Sequence, residues 1–324
     1  MIDSIKRLRR AITNHLGAAN QRTQKLDELC KSQIEFNARF LELTGQIANT
    51  LEASRIELWH IRAISESMLI SQALASDGRY ADVKALARHN RRIYSQHGED
   101  GVISEIFSRI GCKNKTFLEI GVGNGRENTT RFLLESGWKG TWIEGYPANV
   151  TSAKDFMQEC IKNGQLIVVE AFVTAENINE ILDNAGVPSH LDYISVDIDH
   201  NTSYIWSALN RKSRAACIEY NCAMPGDTPI VVPYDPMASW DGTSWFGASL
   251  KTLENIGKAK DMALVGCDLA GVNAYFVTLE EAKGKFREPF DAQTHYEPPK
   301  YYSYGPTHPS PTLPRKWNVD EGEA

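Results

Sequence analysis

The sequence predicts an α/β fold: a doubly wound, mostly parallel sheet covered by helices on both faces and closed by an antiparallel hairpin, with a long helix ahead of it. Three observations predict it. From residue 102 onward short apolar runs alternate with helical stretches, the last two runs stand a hairpin's length apart, and residues 1–75 hold no proline and only Gly17 and Gly45. Alternation of this kind argues for a parallel sheet buried on both sides. A short connection joins antiparallel strands.

Over residues 1–75 apolar side chains recur at intervals of three and four: Ile5, Leu8, Ile12 and Leu16, then Leu26, Leu29, Phe36, Phe40, Leu43 and Ile47, then Leu58, Ile61, Ile64 and Met68. A helix with one apolar seam needs a partner, so an intermolecular coiled coil or a helical hairpin is expected. Gln33 and residues 20–23 interrupt the heptads. Lys6, Arg7, Arg9, Arg10, Arg22 and Lys25 face Asp3 as the single acid of the first 25 residues. They form either a solvated helix end or a patch for an anionic membrane surface.

The pattern changes after Ser76-Asp77-Gly78. Residues 94–101 (YSQHGEDG) lead into a helical stretch over 102–110. Phe117, Leu118 and Ile120 read as a strand that breaks into Gly121-Val122-Gly123-Asn124-Gly125. Helical periodicity over 129–135 stops at Gly137, a C′ residue. Trp142-Ile143-Glu144 is a second strand, and residues 166–170, 191–197 and 215–219 are the third to fifth. Helices are expected at 148–163, 177–185, 203–209 and 247–257. Residues 262–266 and 274–279, joined by CDLAGVN, form the closing hairpin. Seven of thirteen prolines then fall between Pro289 and Pro314, among Tyr296, Tyr301, Tyr302 and Tyr304. That predicts an extended segment packed over the domain, ending in a mobile acidic DEGEA. The expected division is a helical segment at 1–78, the α/β domain at 79–285 and the Pro/Tyr-rich segment at 286–324.

Composition narrows the function. The 324 residues, 42% hydrophobic, suffice for a sizeable core, and a formal charge of -6 argues against a general nucleic-acid binder. Cys30, Cys112, Cys160, Cys217, Cys222 and Cys267 show no CxxC spacing, so neither zinc nor a disulfide framework is expected. No apolar run reaches the roughly 18 residues of a membrane span. The reading is a soluble, cytoplasmic chain, with the inner membrane surface as a second address.

In an open α/β sheet the ligand lies beyond the carboxyl ends of the strands, where the glycine turn and Glu144 fall. The glycines alternate, with Glu119 two residues before Gly121, whereas a dinucleotide site prefers Gly-x-Gly-x-x-Gly. A pyrophosphate wants a helix N-terminus with no acid beside it. A sulfonium ligand with an amino group tolerates or prefers a carboxylate such as Glu119. Glu144 is placed to accept hydrogen bonds from both hydroxyls of a ribose. The alternative is a tight turn with no ligand.

The fourth strand ends Asp197-Ile198-Asp199-His200-Asn201 and the fifth Glu219-Tyr220-Asn221. The period of two along a strand sends Asp197 and Asp199 to one face. Asp197, Asp199, Glu219 and Asn221 are then an oxygen-rich set that suits Mg²⁺ better than zinc. A metal there would lower the pKa of a substrate hydroxyl, with His200 or a carboxylate taking the proton. Without metal, the two aspartates cap a helix or bond the ligand directly. Tyr234, Asp235, Trp240, Asp241 and Trp245 follow the fifth strand, where an acceptor would lie, and their aromatic faces and carboxylates suit a sugar. As loop core the two tryptophans would have no such role.

Seven blocks carry a family resemblance: SQHGEDGVI (95–103), FLEIGVGNG (117–125), LDYISVDIDHN (191–201), IEYN (218–221), VVPYDP (231–236), WDGTSWFGASL (240–250) and LVGCDLAGVNAYFV (264–277). Together they resemble the FkbM-type S-adenosylmethionine-dependent methyltransferases over residues 94–279, with a weaker echo in HYEPPKYY. The resemblance implies the seven-stranded class I methyltransferase sheet and methylation of hydroxyls on sugars, polysaccharides or natural products. By position it implies that Glu119, Gly121, Gly123 and Gly125 hold the methionine and ribose part, Glu144 the ribose, and Ala171 and Phe172 the adenine, with Gln96 and Glu99 closing over the cofactor. Similar sequences commonly carry glycine where His200 stands, so His200 is either a gain of this chain or without a role.

The expected activity is O-methylation of a sugar hydroxyl in polysaccharide assembly, with S-adenosylmethionine as cofactor and Mg²⁺ as a candidate second one. The coiled coil would set a homo-oligomer or dock a partner biosynthetic enzyme. Two rivals are a non-catalytic scaffold with a degenerate domain and a nicotinamide-dependent oxidoreductase, which the glycine spacing disfavours.

Overall fold

A computed structural model describes residues 2–76, 78–299 and 318–319. The chain divides into two units, residues 1–61 and 62–324. Helix α1 runs unbroken over Ile2–Ser76, about 110 Å at 1.5 Å per residue. The polar residues that interrupt its heptads do not interrupt the helix. Thr23 Oγ1 donates to the Ala19 carbonyl at 3.1 Å and Gln33 Nε2 to Asn37 Oδ1 at 3.0 Å, so their polar groups are satisfied within the helix itself. The seam lies in water, with Ile5 58% and Phe40 56% exposed. Among the described residues no helix is long and apolar enough to cross a membrane.

The described strands, in chain order, are β1 (Thr116–Ile120), β2 (Lys139–Glu144), β3 (Leu166–Glu170), β4 (His190–Val196), β5 (Lys212–Glu219), β6 (Ile230–Val231), β7 (Met262–Cys267), β8 (Asn273–Thr278) and β9 (Asn318–Val319). Seven form one sheet in the order β3-β2-β1-β4-β5-β8-β7. Strand β8 is antiparallel to β5 and β7, and the pairings of β1 to β5 with one another are parallel. This is the class I methyltransferase sheet that the resemblance implied. The expected closing hairpin is β7–β8, and its second strand inserts beside β5, leaving β7 at the edge.

Helices α2 (Glu99–Ile110), α3 (Arg131–Glu135), α4 (Pro147–Phe156), α5 (Gln158–Lys162), α6 (Ile178–Asn184), α7 (Thr202–Ala208) and α8 (Leu250–Ala259) cover the sheet, followed by the single turns α9 (Leu279–Ala282) and α10 (Ala292–His295). Alternate strand residues feed two cores. Phe117, Trp142, Tyr193 and Tyr275 pack with Ile103 and Ile106 of α2, Leu134 of α3 and Ala153 of α4. Leu118, Ile143, Ile194 and Phe276 pack with Leu182 of α6, Trp206 of α7 and Leu253 of α8. Burial on both faces is why the strands read as continuous apolar runs rather than as alternation.

Of the proline-rich segment, residues 296–297 are held against the domain. Tyr80 Oη donates to Glu297 Oε2 and Tyr220 Oη to the Glu297 carbonyl, both at 2.7 Å, and Tyr296 Oη donates to the Cys222 carbonyl at 2.6 Å. Tyr301, Tyr302, Tyr304 and the acidic end lie outside the described residues.

Candidate active site

The strand order reverses between β1 and β4, and a ligand crevice is expected at their carboxyl ends. A cavity of about 590 Å³ lies there, within the usual range of ligand sites. Glu119 to Asn124, Glu144 to Tyr146, Ala171, Phe172, Asp197 to Asp199, Gln96, Glu99 and Trp240 contribute to its walls.

The glycine turn is shaped by a close approach of backbones. Gly121 has φ +86°, and a Cβ there would lie 1.7 Å from the Asp197 carbonyl oxygen. Only glycine fits. Asp197 N–H in turn donates to the Ile120 carbonyl at 3.0 Å, joining the ends of β1 and β4. Gly123 N–H donates to Glu144 Oε2 at 2.8 Å, and the space where its Cβ would project is open. Glu144, 5% exposed, also accepts from Tyr146 N–H at 2.9 Å, so its carboxylate is fixed in the cavity wall. Gly125 is a correction: it does not line the cavity, because it is turned against Trp142 and Ala153.

Glu119 lines the cavity but is spoken for. Its oxygens accept from Asn128 Nδ2 (2.6 Å), Thr129 N–H (2.8 Å), Thr130 N–H (3.0 Å) and Thr130 Oγ1, and it is 1% exposed. Burial raises its pKa against the pull of these donors. Its work in this structure is to anchor the approach to α3. Glu99 is likewise buried, accepting from His97 N–H at 2.7 Å and Asn273 Nδ2 at 3.0 Å. Burial, and then the neighbouring Asp268, lift its pKa to about 8.

Asp197, Asp199 and Glu219 each bring one oxygen within 4.8 Å of the others. Strand alternation is not the cause, since β4 ends at Val196. The chain turns through Asp199 at φ +58°, a left-handed conformation uncommon outside glycine, in a 3₁₀ turn over Asp199–Asn201. Burial and the charge of Asp199 raise Asp197 to about 7. Burial raises Asp199 to about 6, against the pull of His200. Glu219, buried beside both, is raised well above the ordinary range by burial and then by the charges of Asp197 and Asp199.

Two assignments need correction. Asn221 does not join the three carboxylates: its Nδ2 donates to the Ser244 and Phe246 carbonyls, both at 2.9 Å, and its Oδ1 accepts from Ala223 N–H at 3.0 Å. The loop backbone consumes the amide. His200 does not line the cavity, because its Nε2 lies 3.1 Å from the Pro233 carbonyl, to which a ring N–H there donates. This removes the geometric ground for His200 as the base.

Of the acceptor candidates only Trp240 lines the cavity. Its Nε1 donates to the Thr243 carbonyl at 2.8 Å, and Asp241 holds Thr243 N–H at 3.0 Å. Tyr234 Oη donates to Glu176 Oε2 at 2.7 Å, Asp235 Oδ1 accepts from Met237 N–H at 2.9 Å, and Trp245 packs on the cluster of Met224, Ile230 and Val232. These four build the loops around the site. Sequence reasoning missed Tyr146, Asn128, Asn149 and Ser239, which also line the cavity. Tyr146 had a signal, since Pro147 marks the start of a helix and places the residue before it at the strand end.

No protein-family model matches this chain, and no curated relative matches it. Among solved structures it is similar to magnesium protoporphyrin IX methyltransferase (ChlM) from Synechocystis PCC 6803 with bound SAM, at TM-score 0.38 and 12% identity, covering 65% of this chain and 95% of that one. It is similar to the N-terminal domain of EvdMO1 with SAH bound, at TM-score 0.37 and 14% identity, covering 57% and 80%. Against the pyocyanin biosynthetic protein PhzM the TM-score is 0.33 and the identity 10%, and the match covers 54% of this chain and about half, 53%, of that one. Likenesses at this level leave the reaction to the site itself.

The acid cluster generates a stability prediction. Folded pKa values of about 7 and 6 for Asp197 and Asp199 lie above the unfolded value near 4, so the native state holds more protons between them. Stability therefore falls as pH rises from about 4 to about 8. Asp197→Asn removes a buried charge and is expected to be roughly 1–3 kcal/mol more stable than the parent at pH 8, and little different at pH 4.5, in urea unfolding with EDTA present. A variant less stable than the parent at both pH values would refute the account.

Proposed function

We propose that this chain is an S-adenosylmethionine-dependent O-methyltransferase acting on a sugar hydroxyl of a glycan, a polysaccharide or a glycosylated natural product. The observation that carries the reading is one cavity at the switch point, walled both by an open glycine turn beside a fixed carboxylate and by two of three clustered carboxyl groups.

The residues fit the cofactor. The open space at Gly123 admits a ligand against the turn, Glu144 offers oxygens to ribose hydroxyls, and Phe172 and Tyr146 are aromatic walls, 43% and 54% exposed, for an adenine. An acidic lining suits a ligand with sulfonium and ammonium charges. Bound there, the cofactor supplies a methyl group on positively charged sulfur, open to in-line displacement. The chain's own part is to position the acceptor and take its proton. Asp197, with a pKa of about 7, is matched to proton transfer at neutral pH; burial and then the charge of Asp199 raise it, against the pull of Glu219. Trp240 offers a flat face to a sugar ring. The oxygen-only set of Asp197, Asp199 and Glu219 also fits Mg²⁺, which would supply Lewis-acid activation of the hydroxyl. A scaffold would have no use for buried acids that repel one another at a cost in stability.

Helix α1 supports self-association. Ile5, Ile12, Ala19, Leu26, Gln33, Phe40, Ile47, Ser54, Ile61 and Met68 fall at strict intervals of seven. A seven-residue repeat drifts on a straight helix and stays on one face only when the helix supercoils with a partner of the same repeat. A second copy supplies one.

Calorimetry should find S-adenosylmethionine binding in the parent and a loss of about 100-fold, or about 3 kcal/mol, in Glu144→Ala. Full affinity in that variant would sink the ribose assignment. If the carboxylates hold Mg²⁺, turnover is lost with EDTA and restored by Mg²⁺; EDTA-insensitive turnover removes the metal. Light scattering should show a multiple of the chain mass that falls to a single chain in Phe40→Glu/Ile47→Glu, whereas a monomeric parent would end the coiled-coil reading.

A further inference from the structure

The lining of the cavity is one-sided in charge. Glu99, Glu119, Glu127, Glu144, Asp197 and Asp199 contribute six carboxyl groups, and among the described lining residues there is no Lys, Arg or His. Nearby cations point elsewhere: the Arg126 guanidinium lies 4.8 Å over the Phe156 ring and that of Arg131 4.4 Å over Tyr94.

Phosphates are held by Arg or Lys, or by backbone N–H groups left free in glycine turns and at helix N-termini. Here the chain's own carboxylates have taken four such amides around the cavity. Glu144 accepts from Gly123 and Tyr146 N–H, and Glu119 from Thr129 and Thr130 N–H. Helix α2 opens with Glu99 and Asp100 in its first turn. A diphosphate entering this cavity would lose its water and find no cation among the described lining residues to replace it, a cost greater in a cavity than in open water. The rest of the wall is different. Trp240 offers an aromatic face, and Asn149 and Ser239 offer neutral donors and acceptors. Those surfaces match C–H faces and hydroxyl edges.

We propose that the acceptor is an uncharged hydroxylated molecule, a glycoside rather than a sugar phosphate or a nucleotide-linked sugar. The proposal rests on the methyltransferase reading and narrows its substrate class.

The test uses the full chain saturated with S-adenosylhomocysteine, whose binding is measured first by calorimetry; failure at that step counts against the methyltransferase reading itself. Saturation-transfer NMR then compares methyl hexopyranosides with the matching hexose 1-phosphates and uridine-diphosphate hexoses. The expected result is a signal from one or more neutral glycosides that Trp240→Ala abolishes, with the phosphorylated partners at least about tenfold weaker. Equal signals within each pair, including none from any member, or a Trp240-dependent signal from a phosphorylated probe, would overturn it.

Discussion

The site depends on one close approach of backbones. Where β1 ends, Gly121 passes the Asp197 carbonyl so closely that a methyl group there would occupy the carbonyl oxygen's place. The Asp197 N–H completes the join by bonding to Ile120. Parallel neighbours β1 and β4 are thereby held together at the point where the strand order reverses, with the glycine turn on one side and the acid-bearing strand end on the other. A side chain at 121 would push the two apart, and the cavity between turn and acids would lose its shape.

Carboxylates then do two kinds of work in one place. Glu119 and Glu144 accept from the chain's own amides, holding Thr129 and Thr130 in one case and Gly123 and Tyr146 in the other. Asp197, Asp199 and Glu219 all have raised pKa values: burial is the first cause for each, joined by the charge of Asp199 at Asp197 and by the charges of both aspartates at Glu219. The first kind stabilises the turn. The second opposes folding at neutral pH and leaves groups able to exchange a proton there.

Helix α1 obeys a different economy. It has the internal hydrogen bonds a helix needs, including those of Thr23 and Gln33, but among the described residues of 1–61 none is buried in a core. Its seven-residue repeat is a packing instruction addressed to another helix. Nothing in the α/β unit is needed to read it.

The sequence by itself determined the elements and the glycine turn at the switch point. Continuous apolar runs marked β1 to β5 because a sheet buried on both faces leaves no room for polar alternation, and the glycines marked the turn because two backbones approach closely there. It also named Asp197, Asp199 and Glu219, though for Asp199 by a wrong cause: strand periodicity stops at Val196, and a left-handed residue brings the carboxylate round. Tertiary structure alone decided which polar residues stay available. Asn221 and His200 carry the right chemistry at the right positions, but loop carbonyls at 233, 244 and 246, distant in sequence, compete for them and win. Hydrogen-bond partners drawn from remote loops leave no periodic trace, so a side chain's type can be read from the chain and its availability cannot.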